Sequence, residues 1–343
     1  MSELASNDAA VSAAWNKVHV SPLWENRAAH NTRGDGPERA HLWRWGDLQP
    51  AIEQALALRD TRAIERRVLS LVSPHSPEVA GQAGTTLNLN AGLQILKPGE
   101  TARPHRHSMN ALRFVLQGSG AVTKVDGKEC VMDEFDLVTT PGWCWHEHIH
   151  RGDDTIVWLD VLDASLHRYF GTDRFQPGPG NNVPAVTPDE AFAYPGLTPV
   201  AASTGDRPGA ACSPLFRYPY AQAAAAVAAA PPDRDGARRI RYSNPLDGGP
   251  VMFSLDCYLV ELDPGQQTIP FRSSANAVCA IVGGEGESTV GGEKLSWGPR
   301  DVFSLPRNNF YSHKAGSNQA RLFIATDRDV LRRLDLLTEE WGE

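Results

Sequence analysis

The chain has 343 residues, 41% of them hydrophobic, so it can bury the core of one large domain or of two ordinary ones. Its 33 Lys and Arg against 41 Asp and Glu give a net charge of −8, which argues against nucleic acid as a partner. No apolar run approaches the roughly 18 residues of a membrane span. The N-terminus lacks a basic and apolar signal pattern, and the five cysteines are scattered, so we expect a cytoplasmic protein with reduced thiols.

The first half of the chain changes from a helical to a β pattern. Residues 1–85 are predicted to form a mainly helical arm, with the clearest helical periodicity over 49–67. Residues 86–170 contain short apolar runs between Gly and Pro turns, at the spacing of about 8–12 residues that is typical of a barrel or sandwich.

The second half repeats this change. Residues 171–245 are rich in Pro, Gly and Ala and are predicted to be a connector with one helix over 221–230. Residues 246–343 return to short strands and are predicted to close with a helix over 327–340. The fold class is therefore mainly β, with an N-terminal helical arm and a few connecting helices.

The two β segments are copies of each other. Asp263-Pro264-Gly265-Gln266 repeats the turn Lys97-Pro98-Gly99-Glu100 after 166 residues, and Asp301 repeats Asp136 after 165, each before a matching strand that ends in proline. Such self-similarity indicates an internal duplication, with each copy about one small barrel long.

Histidines are concentrated in the first copy, where five of the eleven lie between 105 and 150. In His105-Arg106-His107 the two imidazoles lie on one face of a strand, because side chains alternate along it. His146 and His148 repeat the spacing on a later strand. Since neutral imidazole is a common ligand of iron, zinc, copper and nickel, we predict that His105, His107 and His146 bind one metal ion.

The second copy is an internal control for this prediction. At the positions of the three predicted ligands it carries Phe271, Ser273 and Tyr311. The barrel therefore does not need these histidines to fold, which favours a metal-binding role for the first set. Only His148 keeps a counterpart, His313, for which a structural role is the better interpretation.

These motifs resemble those of the bicupins, and more closely those of the gentisate and salicylate 1,2-dioxygenases. Gly99 precedes the first histidine pair by the cupin spacing, but the glutamate position falls at Ala111 or Leu112, so the usual acidic ligand is missing. The run from Pro141 to His148 looks like the tryptophan-flanked third histidine of the dioxygenase family. The resemblance covers nearly the whole chain and implies two cupin barrels, of which only the first, 86–170, binds metal.

The resemblance also implies an activity. Its members use Fe(II) and O2 to cleave gentisate or a salicylate, including 5-substituted salicylates, between the carbons that bear the carboxyl and the hydroxyl. Three neutral imidazoles leave the ion's charge uncompensated and about three of six octahedral positions open, which suits a small aromatic acid that brings its own anions. It further implies a homo-oligomer, either a dimer or a tetramer.

Three further residues are predicted to be catalytic. Arg113 has the parity of the histidine pair and points inward if the strand continues, where a buried guanidinium needs an anion such as the substrate carboxylate. Asp160 matches an acidic position of the family and is predicted to hold a ligand or a group that contacts substrate. His148 is a candidate general base for the substrate hydroxyl.

Five residues are predicted to bind substrate. Asn90, Gly92 and Gln94 lie on a strand expected to line the pocket, and Asn90 stands where the salicylate-cleaving relative has tryptophan, which favours a polar ring substituent. Arg66 or Arg67 closes the site from the N-terminal arm.

Two other functions remain open from the sequence. The chain can be a cupin with another metal and another reaction, although isomerases of this fold normally keep the acidic ligand. It can also be a non-enzymatic ligand-binding bicupin, although such proteins usually lose the histidines in both barrels rather than in one.

Overall fold

A computed structural model of the chain describes residues 38–58, 66–178, 188–192 and 212–342. The segment from Glu38 to Glu343 forms one compact unit, built mainly from strands. Most of the predicted helical arm lies outside the described residues, as does the end of the helix predicted over 49–67. The described helix there begins at Trp45 and ends at Leu58.

The first barrel is made of two antiparallel sheets. In spatial order, the six-stranded sheet contains β14 (Arg217–Tyr218), β10 (Leu137–Thr140), β7 (Ala111–Gln117), β12 (Ile156–Leu162), β5 (Asn90–Leu96) and β2 (Val68–Leu71). The five-stranded sheet contains β13 (Phe175–Pro177), β6 (Thr101–His107), β11 (His146–His150), β8 (Ala121–Val125) and β9 (Lys128–Met132).

The second barrel repeats this arrangement. Its six-stranded sheet contains β1 (Leu42–Trp43), β21 (Val302–Leu305), β18 (Ala277–Gly283), β23 (Ala320–Thr326), β16 (Asp256–Leu262) and β15 (Arg238–Tyr242). Its five-stranded sheet contains β20 (Glu293–Trp297), β19 (Gly286–Val290), β22 (Phe310–Ala315), β17 (Phe271–Ser273) and β24 (Glu339–Trp341). The central strands of both barrels follow the same order, as expected for a duplication.

The remaining elements are few. They are the hairpin β3 (Glu78–Val79) and β4 (Gln82–Ala83), the helices α1 (Trp45–Leu58), α2 (Ala164–Phe170), α3 (Tyr220–Ala229) and α4 (Arg328–Arg333), and a 3-10 turn (Asp189–Phe192). None of the helices in the described ranges is long and apolar enough to cross a membrane. The helix α3 agrees with the helix predicted over 221–230.

The helix predicted over 327–340 is wrong beyond its first two turns. The described helix ends at Arg333, and Asp335 adopts a left-handed backbone with φ of 57°, which terminates the helical path. The chain then continues as β24, which pairs with β17 of the second barrel.

Strands at the sheet edges extend both barrels past the predicted segments. The strand β2 lies in the predicted arm but pairs with β5, and β15 lies in the predicted connector but pairs with β16. Each is an edge strand, whose sequence carries only a weak signal because one of its sides has no neighbour.

The two six-stranded sheets pack back to back. On β7, Val115 faces the interior of the first barrel, while the alternate residues Leu112, Phe114 and Leu116 join a core shared with β16, β18 and β23. At its centre the rings of Phe114 and Phe323 stack, with centroids 4.0 Å apart and 7° between their planes. One face of each sheet thus forms the contact between the barrels, and its opposite face lines the interior of its own barrel.

Truncating this stack is expected to destabilise the whole unit. Phe323→Ala removes a fully buried ring from the shared core and should lower the free energy of unfolding by about 3–5 kcal/mol. Val131→Ala, at a half-exposed position on the first barrel, should change it by less than about 0.5 kcal/mol. Urea denaturation measures both, and equal effects would show that the stack is not a stabilising contact.

Candidate metal centre

Polar side chains occupy one end of the first barrel's interior. The other end is filled by an apolar cluster that includes Leu96, Val115, Val138 and Ile156. Among the described residues, eight buried side-chain nitrogen and oxygen atoms have no hydrogen-bond partner. Four of the eight belong to the polar end: Gln94 Nε2, Arg113 Nε, His146 Nε2 and His148 Nε2. Such atoms are costly to bury, so their concentration in one chamber indicates a binding site.

The three predicted ligands meet in this chamber. His105 and His107 lie on β6 with His146 directly opposite His105 on β11. One ring nitrogen from each imidazole lies within 4.8 Å of the other two, and all three residues are buried. Among the residues that the structure describes, this is the group of metal-ligating side chains that forms a cluster, and it contains no carboxylate.

Backbone carbonyls fix the tautomer of each imidazole. Nδ1 of His105 lies 2.8 Å from the carbonyl oxygen of Arg103, and Nδ1 of His107 lies 2.9 Å from that of Met109. Nδ1 of His146 lies 3.0 Å from the Cys144 carbonyl oxygen. Because a carbonyl only accepts, each Nδ1 carries the hydrogen and each Nε2 keeps its lone pair. The donor set therefore fits a divalent transition-metal ion.

Burial keeps these imidazoles neutral. It lowers the pKa of His105 to about 3, with the nearby Arg66 guanidinium adding to the effect. It lowers the pKa of His107 to about 4 and that of His146 well below its ordinary value, in both cases with Arg113 as the next cause. Neutral imidazole is the form that binds metal, so the site need not lose protons to do so near pH 7.

Of the two adjacent arginines, Arg66 is the one that reaches the chamber. Its Nη1 lies 3.0 Å from His105 Nε2, and its guanidinium lies 5.5 Å from the centre of the Phe175 ring. That ring stacks on His105 with centroids 5.4 Å apart. Arg66 therefore lies beside the strand β13 and donates to the lone pair that an ion would use, so metal binding requires its guanidinium to move away from His105.

Arg67, the alternative to Arg66, makes a different set of contacts. Its guanidinium is buried and donates to both carboxylate oxygens of Glu100, at 2.6 and 2.9 Å, and to the Ile95 carbonyl oxygen at 3.2 Å. It also donates to the Ala55 carbonyl oxygen of α1. Arg67 thus joins α1, β5 and the turn before β6.

Arg67→Met is therefore expected to act on stability. It leaves the Glu100 carboxylate without its cation and removes the arginine's hydrogen bonds to two carbonyls, which should lower the free energy of unfolding by about 3–5 kcal/mol. Arg66→Met, the matched control, should change it by less than about 1 kcal/mol. Denaturation curves distinguish the two, and a larger loss for Arg66→Met would reverse this assignment.

Arg113 and Asp160 lie together on the chamber wall. Arg113 Nε is 3.6 Å from Asp160 Oδ1, which also accepts a hydrogen bond of 2.9 Å from Trp158 Nε1. Arg113 Nη1 donates to Thr140 Oγ1. Burial raises the pKa of Asp160, and the Arg113 charge opposes that rise. The guanidinium thus keeps donor capacity for a further anion.

His148 is placed deeper in the same chamber. Its Nδ1 lies 2.8 Å from Thr123 Oγ1, and the Thr123 hydroxyl is 2.9 Å from the Met132 sulfur, which is an acceptor. When the hydroxyl donates to sulfur it accepts from Nδ1–H, and His148 Nε2 then keeps a lone pair. Burial lowers the pKa of His148 well below its ordinary value, with Arg113 as the next cause.

The three residues predicted on β5 differ in their surroundings. Gln94 is buried, and its Nε2 is one of the chamber's atoms without a partner. At Gly92 a Cβ atom would lie 2.9 Å from Val68 Cγ1, so glycine there allows the close packing of β2 on β5, and a substrate contact by Gly92 stays a prediction. Asn90 Oδ1 accepts hydrogen bonds from the backbone N–H and the hydroxyl of Ser165 in α2, and a substrate contact by Asn90 stays a prediction.

Comparisons with known proteins find a cupin domain and similar ring-cleaving dioxygenases. Residues 92–162 match the cupin domain family. The chain is 34% identical over 311 residues to 5-aminosalicylate 1,2-dioxygenase of Comamonas sp, with 88% of this chain and 81% of the relative covered. It is 32% identical to gentisate 1,2-dioxygenase 1 of Aquipseudomonas alcaligenes, with 93% and 92% covered.

The chain belongs to the gentisate and salicylate 1,2-dioxygenase family. Among solved structures, salicylate 1,2-dioxygenase of Pseudoaminobacter salicylatoxidans, determined as an adduct with gentisate, superposes with a TM-score of 0.87 at 27% identity. The match covers 98% of this chain and 94% of that one. The predictions of a bicupin fold and of a ring-cleaving dioxygenase with a three-histidine site are confirmed.

Within this family member, the second barrel lacks nearly all the polar groups of the chamber. The strand ladders have the same register in both copies, so each interior position has an exact counterpart. Gln94, His105, His107, Arg113, Thr140, His146 and Asp160 correspond to Val260, Phe271, Ser273, Cys279, Leu305, Tyr311 and Ile324. Only the pair Thr123 and His148 is retained, as Ser288 and His313.

Sequence reasoning missed Thr140, Thr123 and Trp158 as parts of this site. Each contacts a predicted catalytic side chain, which places it in the wall that positions the reacting groups. Comparison of the two copies could have identified Thr140. The second copy has the apolar Leu305 at the same interior position, so a polar residue there is not needed for folding.

Proposed function

We propose that this protein is an Fe(II) enzyme that cleaves the ring of gentisate or of a 5-substituted salicylate. The bond that breaks joins the carbons bearing the carboxyl and the hydroxyl, and both atoms of O2 enter the product. The observation that carries the proposal is the convergence of three buried imidazoles, each with Nδ1 tied to a carbonyl and Nε2 directed into one chamber.

His105, His107 and His146 would hold the ion. Because all three are neutral, they contribute no negative charge, and an anionic substrate that chelates the ion would complete its neutralisation. Fe(II) bound there would supply the redox chemistry that activates O2 and a template for the two substrate oxygens. The choice of iron rests on the family and on this donor set.

The substrate carboxylate is assigned to Arg113. Its Nε has no hydrogen-bond partner among the described residues, it is buried, and it is held in place by Asp160 and Thr140. A guanidinium fixed in this way binds a carboxylate without losing much side-chain entropy on binding. Asp160 then acts as a positioning residue for Arg113, and Arg66 adds a second cation at the mouth.

Proton movement is assigned to His148. With Nδ1–H donated to Thr123, its Nε2 lone pair can accept the hydrogen of the substrate hydroxyl. Gln94 Nε2 is a donor within the same chamber and would hydrogen-bond a substrate oxygen. Together these groups would orient the substrate ring and accept the proton of its hydroxyl group. The substrate could then bind as an anion.

The substrate class follows the names of the relatives. One acts on 5-aminosalicylate and another on gentisate, which is 5-hydroxysalicylate. Both substrates share the adjacent carboxyl and hydroxyl groups and differ in the polar group at carbon 5. A polar Asn90 in place of an aromatic residue favours the same class here.

Oxygen uptake by the anaerobically Fe(II)-loaded protein tests the proposal. We expect one O2 per molecule of gentisate, 5-aminosalicylate or salicylate, with the absorbance of a ring-opened dienoic acid. 4-Hydroxybenzoate, whose two groups are too far apart to chelate one ion, should give none, and Zn(II)-loaded protein should be inactive with all four. No uptake with any salicylate despite bound iron would disprove the proposed reaction.

Assembly and location stay predictions. We expect a homodimer or homotetramer in the cytoplasm. Analytical ultracentrifugation of the full chain measures the oligomeric state.

A further inference from the structure

The second barrel encloses a cavity at the position that the metal chamber occupies in the first. Its volume is about 380 Å³, within the range of small-molecule sites. Phe271, Tyr311 and Trp341 line it, with Trp341 supplied by β24. The Phe271 ring lies 4.7 Å from that of Trp341 and 5.8 Å from that of Tyr311. Aromatic rings thus occupy the wall where the first barrel carries imidazoles.

One polar atom in this cavity has no partner. His313 lines the cavity and is 2% exposed, and its Nε2 is among the buried atoms without a hydrogen bond in the described part of the chain. Its Nδ1 lies 2.8 Å from Ser288 Oγ. Burial lowers the pKa of His313 to about 4, so the imidazole is neutral at pH 7.

The surroundings of Ser288 decide what His313 offers to the cavity. Trp297 Nε1 donates a 2.8 Å hydrogen bond to Ser288 Oγ, since an indole only donates. The serine hydrogen then has His313 Nδ1 as its acceptor, which leaves the ring's hydrogen on Nε2. In the first barrel, Met132 stands at the position of Trp297 and accepts instead, so the paired histidines present opposite groups. His148 offers a lone pair, and His313 offers an N–H.

The charged groups around the cavity are already paired. Arg239 donates to Asp235 at 2.7 Å and to Asp233 at 3.0 Å, and Arg328 donates to Glu339 at 2.6 and 2.7 Å. Three carboxylates face two guanidinium groups, so the lining carries a net charge of about −1. An anionic ligand is therefore disfavoured, in contrast to the first barrel.

We propose that the second barrel is a binding site for a small neutral aromatic compound, whose carbonyl or hydroxyl oxygen accepts a hydrogen bond from His313 Nε2. The ring of the ligand would pack among Phe271, Tyr311 and Trp341. The site is independent of the metal centre, and its ligand differs from the aromatic acids of the first barrel in charge.

Benzamide and benzoate are the matched probes, because they are nearly identical in shape and differ in charge. Isothermal titration of the full-length, metal-free protein should show saturable benzamide binding at one site per chain, and benzoate should bind at least tenfold more weakly. Ala277→Phe fills the cavity and should abolish benzamide binding. His313→Leu removes the donor and should weaken it about tenfold.

Lys314→Ala is the control, since Lys314 follows His313 on β22 but is exposed. It should bind benzamide as the unchanged protein does, and thermal unfolding should show that all three variants are folded. Unchanged binding in both Ala277→Phe and His313→Leu would place benzamide elsewhere and overturn the proposal. Equal affinity for benzoate that is lost in Ala277→Phe would overturn the assignment of a neutral ligand, and no saturable benzamide binding would disprove the site.

Discussion

Replacing His105 or His146 with alanine is expected to remove bound iron and ring cleavage while the barrel stays folded. Each change takes away one of three converging Nε2 donors, and the ion supplies several kcal/mol of the transition-state stabilisation. Turnover should therefore fall by at least about 10³-fold. Iron content by mass spectrometry and O2 uptake measure the two effects on one preparation.

The fold should survive because the second barrel forms the same ladder without these imidazoles. There Phe271 pairs with Tyr311 in the register in which His105 pairs with His146. His313→Leu is the matched control, since it removes a buried histidine from the other barrel and should leave iron and turnover unchanged. Full iron occupancy with normal turnover in either alanine variant would show that the ligands were wrongly assigned.

Arg113→Cys is expected to lose both stability and turnover. It leaves the Asp160 carboxylate buried without its cation, which should lower the free energy of unfolding by about 3–5 kcal/mol. It also removes the proposed contact with the substrate carboxylate, and kcat/KM should fall about 10²-fold.

The double variant Arg113→Cys/Asp160→Ile separates these two losses. Cys279 and Ile324 occupy the same ladder positions in the second barrel, where they are packed in an apolar interior. The double variant should regain most of the lost free energy of unfolding. About 1 kcal/mol should stay lost, because Trp158 no longer has a hydrogen-bond acceptor. Turnover should stay low, since Arg113 is still missing. A double variant no more stable than Arg113→Cys would disprove the structural part, and normal kcat/KM would disprove the substrate contact.

The sequence predicted the parts of the site that depend on strand alternation. His105 and His107 face inward because they share a parity along β6, and two copies of one turn pattern predicted the two barrels. These predictions needed only local geometry and the duplication.

The sequence did not give the contacts of residues where the backbone is irregular or where a side chain has two possible partners. Arg66 and Arg67 precede β2, so strand alternation does not decide which of them enters the chamber. Arg67 instead forms an ion pair with Glu100. Asn90 lies at a strand end, where Ser165 of a following helix competes for its amide. Gly92 is needed for the approach of β2, a strand that the sequence did not indicate.

The carbonyl contacts of the three imidazoles have a consequence for mutational tolerance. In many metal sites a carboxylate side chain orients the ligating histidine, and its replacement lowers metal affinity by about 10–100-fold. Here the acceptors belong to the backbone of Arg103, Met109 and Cys144, so a substitution at these positions keeps the acceptor. The path of the backbone thereby sets the orientation of the three imidazoles, and we expect side-chain substitutions at these three positions to preserve it.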